Sequence, residues 1–101
     1  MTIAEFSITP IGRGVSVGEH VARAVDIVDR SGLPYRVNPM GTVIEGSFDQ
    51  VLALITRCHK AVKDCQRVST IIKIDDRKGV TGQLDAKVAA VERRLGRKLR
   101  S

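Results

Sequence analysis

Asn38-Pro39-Met40-Gly41-Thr42-Val43-Ile44-Glu45-Gly46 is the stretch on which the reading of this chain turns. Pro39 and Gly41 form a tight turn between two short β-branched runs, and turn chemistry followed by an apolar strand is a hairpin signal. The strand it opens carries a carboxylate, Glu45, among Val43, Ile44 and Gly46. Glu is a poor strand former, and an ionised carboxylate within a sheet is costly unless solvated or paired. Glu45 therefore either sits on a wet face or is held there by a hydrogen-bonding group.

Working outward, residues 35–38 form the strand before the turn and residues 42–47 the strand after it. Upstream, residues 2–9 alternate, with Ala4, Phe6 and Ile8 on one face and Glu5, Ser7 and Thr9 on the other. That period of two marks a strand with one buried face. Pro10, Ile11 and Gly12 end it. Ser16 then caps a helix, with Glu19 completing a capping box and Val17, Val21, Ala24, Val25 and Val28 as its apolar stripe. His20 lies beside that stripe as a partly exposed helix residue, and Ser31-Gly32 closes the helix.

Downstream, Ser47 is the next N-cap, with Gln50 as its box partner. The helix it starts carries Val51, Leu52, Leu54, Ile55, Cys58, Ala61 and Val62 at helical spacing, and His59 falls just beyond the core positions. A fourth strand over 68–75 is apolar on both faces, and a last helix over 83–95 sets Leu84, Val88, Val91 and Leu95 along one seam. Phe6 and Phe48 read as core.

The order is strand, helix, strand, strand, helix, strand, helix. Its first six elements match the split β-α-β arrangement. The expected fold class is α+β: a ferredoxin-like βαββαβ sandwich with a four-stranded antiparallel sheet and an additional C-terminal helix, in a single domain over 1–101. By parity the sheet face away from the first two helices carries Glu5, Ser7, Thr9, Arg36, Asn38, Val43, Glu45, Ser69, Ile71 and Lys73. Polar groups surrounding Val43 and Ile71 suit a face that meets another subunit or encloses a small ligand.

Composition narrows the function. A chain of 101 residues can bury a core without staples. No apolar run reaches the ~20 residues of a membrane span, and the start of the sequence shows no leader-like run. A soluble cytoplasmic protein is expected. Two cysteines, Cys58 and Cys65, with only His20 and His59 to assist, do not make a structural metal site. Cys58 reads as a core thiol and no metal is expected.

The net charge of +6 is concentrated at the end, where Lys87, Arg93, Arg94, Arg97, Lys98 and Arg100 face only Glu92. A basic helix end is ordinarily solvated and favoured by the helix dipole. Sequence-blind nucleic-acid binding through this tail is a minor alternative, since no aromatic platform lies on the open face. An enzyme is not expected. Gly12, Gly14 and Gly18 are spaced one residue too long for a dinucleotide fingerprint and read as turn glycines. Asp75-Asp76-Arg77-Lys78 reads as a solvated turn.

Three segments resemble the thiamine-binding protein family, a group of small ferredoxin-like proteins. They are Glu5 to Gly12, Met40 to Gly46 and Arg67 to Arg77, and the glycine-threonine-x-isoleucine-glutamate-glycine run is the most specific. The resemblance implies homotetramers built as dimers of dimers with sheets facing one another. It also implies binding of thiamine or its hydroxymethylpyrimidine portion without a catalysed reaction or further cofactor. Carried onto this chain, Glu45 accepts from the exocyclic amine and Asn38 and Thr42 orient the ring, although parity turns Thr42 toward the helices. Ser7 and Ser69 are further partners, and Met40, Val43 or Ile71 supplies the apolar wall. An assembly-only or regulatory homo-oligomer without a small ligand is the alternative of a different class.

Overall fold

The alternating start of the chain forms β1, Thr2–Ile11, in the computed structural model, which describes residues 1–12, 17–62, 65–79 and 82–100. It is followed by α1 (Val17–Arg30), β2 (Tyr35–Asn38), β3 (Gly41–Gly46), α2 (Phe48–Lys60), β4 (Arg67–Asp76) and α3 (Gln83–Leu95). The four strands form one antiparallel sheet in the order β2-β3-β1-β4. The expected α+β, ferredoxin-like arrangement with an additional C-terminal helix is thus the observed one. The Ser16 cap expected for α1 lies outside the described residues.

Asn38 pairs with Gly41, so the β2–β3 hairpin closes with Pro39 and Met40 as a two-residue loop. A Cβ on Gly41 would come within 3.1 Å of the Phe6 carbonyl oxygen and 3.2 Å of Glu5 Cγ. A side chain here would push the hairpin end and β1 apart by a few tenths of an ångström.

The capping box of α2 is complete. The Gln50 amide donates to Ser47 Oγ at 3.2 Å, and the Ser47 amide donates to Gln50 Oε1 at 3.0 Å. At the other end, Arg23 Nη1 donates to the Ala61 carbonyl at 3.1 Å, tying α1 to the end of α2.

Ala4 and Phe6 of β1 and Ile44 of β3 meet Val28 of α1 and Val51, Leu54, Ile55 and Cys58 of α2 in the core. Phe48 is a correction to the sequence reading: it is 46% exposed. It is the first residue of α2 after the cap, and the buried stripe begins only at Val51. Val88, Val91 and Leu95, the seam of α3, are likewise exposed. So are Ile72 and Ile74, because β4 is an edge strand.

The helix α3 does not join α1 and α2. It packs on β3 from the opposite side of the sheet, where Arg36 Nη2 donates to Asp85 and Lys87 Nζ to Asp75 at 2.7 Å. Arg36 lies opposite Val43 and Asp75 opposite Ile3, which places both on the face away from the core. Among the described residues no helix is long and apolar enough to cross a membrane.

Ile44 is fully buried between sheet and helices, so Ile44→Ala should lower unfolding free energy by about 2–5 kcal/mol, read from the denaturant midpoint. A loss well under that range would mean the site collapses around the void. Cys58 is buried, and burial pushes its thiol up from 9.0 to about 11. The fold holds this proton more tightly than the unfolded chain does. The contribution is therefore intact below about pH 9 and is lost as pH rises through about 11. At neutral pH a thiolate-directed reagent should label half-buried Cys65 and spare Cys58 until the chain unfolds. Peptide mass spectrometry would show this, and equal labelling in the folded protein would contradict the burial.

Candidate functional site

Register builds a cleft at one end of the sheet. The pairing of β1 with β3 covers Thr2 to Phe6 and stops where Phe6 faces Thr42. Beyond that point β1 continues to Ile11 with β4 as its only partner among the described residues. The side of Ser7, Ile8 and Thr9 left without a strand is flanked by the hairpin turn and by α1.

The resulting cleft has a volume of about 360 Å³. That lies in the range of small-molecule sites, roughly 300–1,000 Å³. Phe6, Val21, Ala24, Val25, Val37 and Val62 give it apolar walls. Ser7, Thr9, His20, Asn38 and Thr42 supply polar groups, and Met40, 86% exposed, stands at the lip. Hydroxyls donate and accept, and the Asn38 amide does both, so this set can match a heteroaromatic ring bearing an amine and ring nitrogens. Among the described residues no carboxylate lines it.

Of the six candidate residues taken from the resemblance, Ser7, Asn38, Met40 and Thr42 meet in this cleft. Thr42 does so because it faces the helices, as parity requires, while Ser7 and Asn38 reach it from the rim. Ser69 is not in the lining; it lies on β4 opposite Thr9 and half-buried. Glu45 is not in the lining either. It is 3% exposed, on the sheet face against which α3 packs. Among the described residues no buried side-chain nitrogen or oxygen lacks a hydrogen-bond partner, so the alternative posed by the sequence resolves as a held carboxylate rather than a wet one.

From sequence, His20 is a partly exposed helix residue beside the apolar stripe. In the structure it is half-buried and lines the cleft, with Nδ1 at 3.5 Å from Arg23 Nη1. The signal for it was its helical spacing of one and four residues from Val21 and Ala24, which share the wall.

The remainder of the open face carries charges of both signs. Glu5 lies opposite Lys73, and both share a shallow recess with Ile3, Val43, Asp75 and Lys87. The hydrogen bond from Lys87 holds the Asp75 carboxyl below the usual carboxylate range, its charge adding to the effect. Across the core face of β4, His59 Nδ1 contacts Thr70 Oγ1 above an apolar groove containing Leu52, Ile55 and Ile72. No group of three or more His, Cys, Asp or Glu side chains among the described residues is arranged to hold a metal ion.

A UPF0045 protein of Mycobacterium bovis is 46% identical over 95 residues, spanning 92% of this chain and 93% of that one. The crystal structure of a hypothetical protein from Methanocaldococcus jannaschii superposes with a TM-score of 0.79 at 35% identity, covering 89% of this chain and 94% of that one. A candidate thiamine biosynthesis/salvage protein from Thermotoga maritima shares the fold, with a TM-score of 0.76 at 21% identity and coverage of 89% and 97%. The sequence profile described as thiamine-binding protein matches residues 4–92, and the chain belongs to that family.

Proposed function

We propose that this protein binds thiamine, or its hydroxymethylpyrimidine portion, in the cleft between α1 and the β2–β3 turn, without catalysing a reaction. The observation that carries the reading is that Ser7, Asn38, Thr42 and Met40 line one apolar-walled cleft. The family to which the chain belongs supports the choice of ligand. In this reading Asn38 and Thr42 meet the edge of the pyrimidine, Ser7 contributes a hydroxyl at the rim, and Met40 and Val37 cover the ring face. Glu45 has no direct contact with the ligand; its buried carboxylate fastens the sheet.

Isothermal titration with thiamine and with hydroxymethylpyrimidine tests this. Saturable heat that persists at raised salt is expected, because neutral hydrogen bonds and apolar contact are weakly screened. A folded protein that gives no heat with either compound overturns the reading. Asn38→Ala should weaken binding by about 1 kcal/mol, roughly fivefold, with little change in stability, since Asn38 is exposed. Glu45→Gln should do the reverse, lowering stability by about 1–3 kcal/mol while leaving the affinity of the folded protein unchanged. A Glu45→Gln variant of normal stability and lost affinity would move the site to the sheet face.

The same proposal includes self-association through the open sheet face, as a cytoplasmic homotetramer in its fullest form. Its support is Ile71, 69% exposed on that face between Ser69 and Lys73. In sedimentation velocity, Ile71→Asp should shift the protein to a smaller species. An unchanged sedimentation coefficient would exclude this face from the interface.

A further inference from the structure

A second recess lies beside the first, against the α1–α2 contact. Arg23 and Ile27 of α1, with Arg57, Lys60 and Ala61 at the end of α2, surround about 550 Å³ of open volume. Three cations face that volume from two helices. Arg23 is held in place by the Ala61 carbonyl at 3.1 Å and lies 3.5 Å from His20 Nδ1. Arg57 and Lys60 have no ion pair with a described residue, whereas Arg30, Arg36 and Lys87 each have one.

Like charges gathered around one volume repel, weakly where solvent reaches all three, and an anion between them would relieve that. The helix dipole accounts for part, because Arg57 and Lys60 sit in the last turn of α2, near its negative pole. It does not account for Arg23, which comes from the middle of α1 and closes the opposite wall.

We infer that this recess binds a phosphate or diphosphate group. Two guanidinium forks and one ammonium suit an anion with several oxygens and more than one negative charge. Arg23 spends one Nη1 donor on Ala61 and keeps others for a ligand. The chemistry has two sources: a free inorganic anion, or a phosphate carried by a ligand whose ring occupies the neighbouring cleft. The second is open because His20 of the cleft touches Arg23 of the recess. The recess does not depend on the assignment of the ring cleft.

The test is titration of the full chain with pyrophosphate, thiamine and thiamine diphosphate at low salt. Each is run on the native protein, on Arg57→Ala/Lys60→Ala, and on Lys98→Ala/Arg100→Ala, which removes the same charge outside the recess. Pyrophosphate should bind saturably, weaken by about tenfold or more in the first variant and stay unchanged in the second. Equal weakening in both variants, or no saturable binding to the native protein, overturns the site. Given the expected pattern, thiamine diphosphate binding tighter than either thiamine or pyrophosphate assigns a phosphorylated ligand. Thiamine diphosphate binding no tighter than pyrophosphate assigns a free anion. Failure of thiamine alone counts against the ring cleft and leaves the pyrophosphate result standing.

Discussion

The mismatch in length between β1 and its neighbour β3 determines what this fold can hold. β1 runs for 10 residues and β3 for 6, and the register opposes Phe6 to Thr42. The surplus of β1 therefore falls entirely at one end. There it accommodates Pro10, which has no amide to donate and would be costly between two paired strands. The hairpin must turn at the same point, so Met40 and Asn38 stand over the strand that continues past them. A sheet of equal strands would have paired this edge, and α1 would have closed on a filled surface.

Most of the fold was legible because each element announces itself locally. The alternation of Ala4, Phe6 and Ile8, the Ser47 and Gln50 box, and the seam from Leu84 to Leu95 depend on neighbours within a few residues. Boundaries moved little: β3 starts at Gly41 instead of Thr42, and α3 spans Gln83–Leu95 as expected. Phe48 was misread because an aromatic next to a helix start suggests core, whereas the first turn points away from a stripe that begins at Val51. The candidate site was legible only in part. Parity assigns a residue to a face but does not say what covers that face. Parity placed Glu45 on the face away from the first two helices but left open what covers it there, because nothing in its own stretch reveals that α3 returns across β3. The convergence of Ser7 with Thr42 was equally hidden, since it depends on where one strand outlasts another.

The position of α3 also changes the electrostatic character of the open face. From sequence, Glu5 and Glu45 place two carboxylates on that face. In the fold, Lys73 stands opposite Glu5, Lys87 from α3 meets Asp75, and Arg36 meets Asp85. Exposed pairs of this kind contribute little to stability, but they neutralise the face locally. A cationic ring would find little net attraction there. The cleft, with hydroxyls, an amide and an imidazole among apolar walls, offers shape and a hydrogen-bonding pattern in place of charge.

This separation gives the two sides of α1 different physical tasks. On the sheet side, Val21, Ala24 and Val25 present an apolar wall to the cleft. On the α2 side, Arg23 presents charge to the cationic recess. Contacts of the first kind owe little to ionic strength, while contacts of the second are screened over about 8–10 Å at ordinary salt. A ring and an anion held in one polar pocket would each compromise the other, because walls that favour the ring desolvate the anion. The proposed arrangement, with the two divided across a helix, avoids that conflict. His20 and Arg23, three residues apart on one turn and 3.5 Å from each other, are where the two sides of α1 meet.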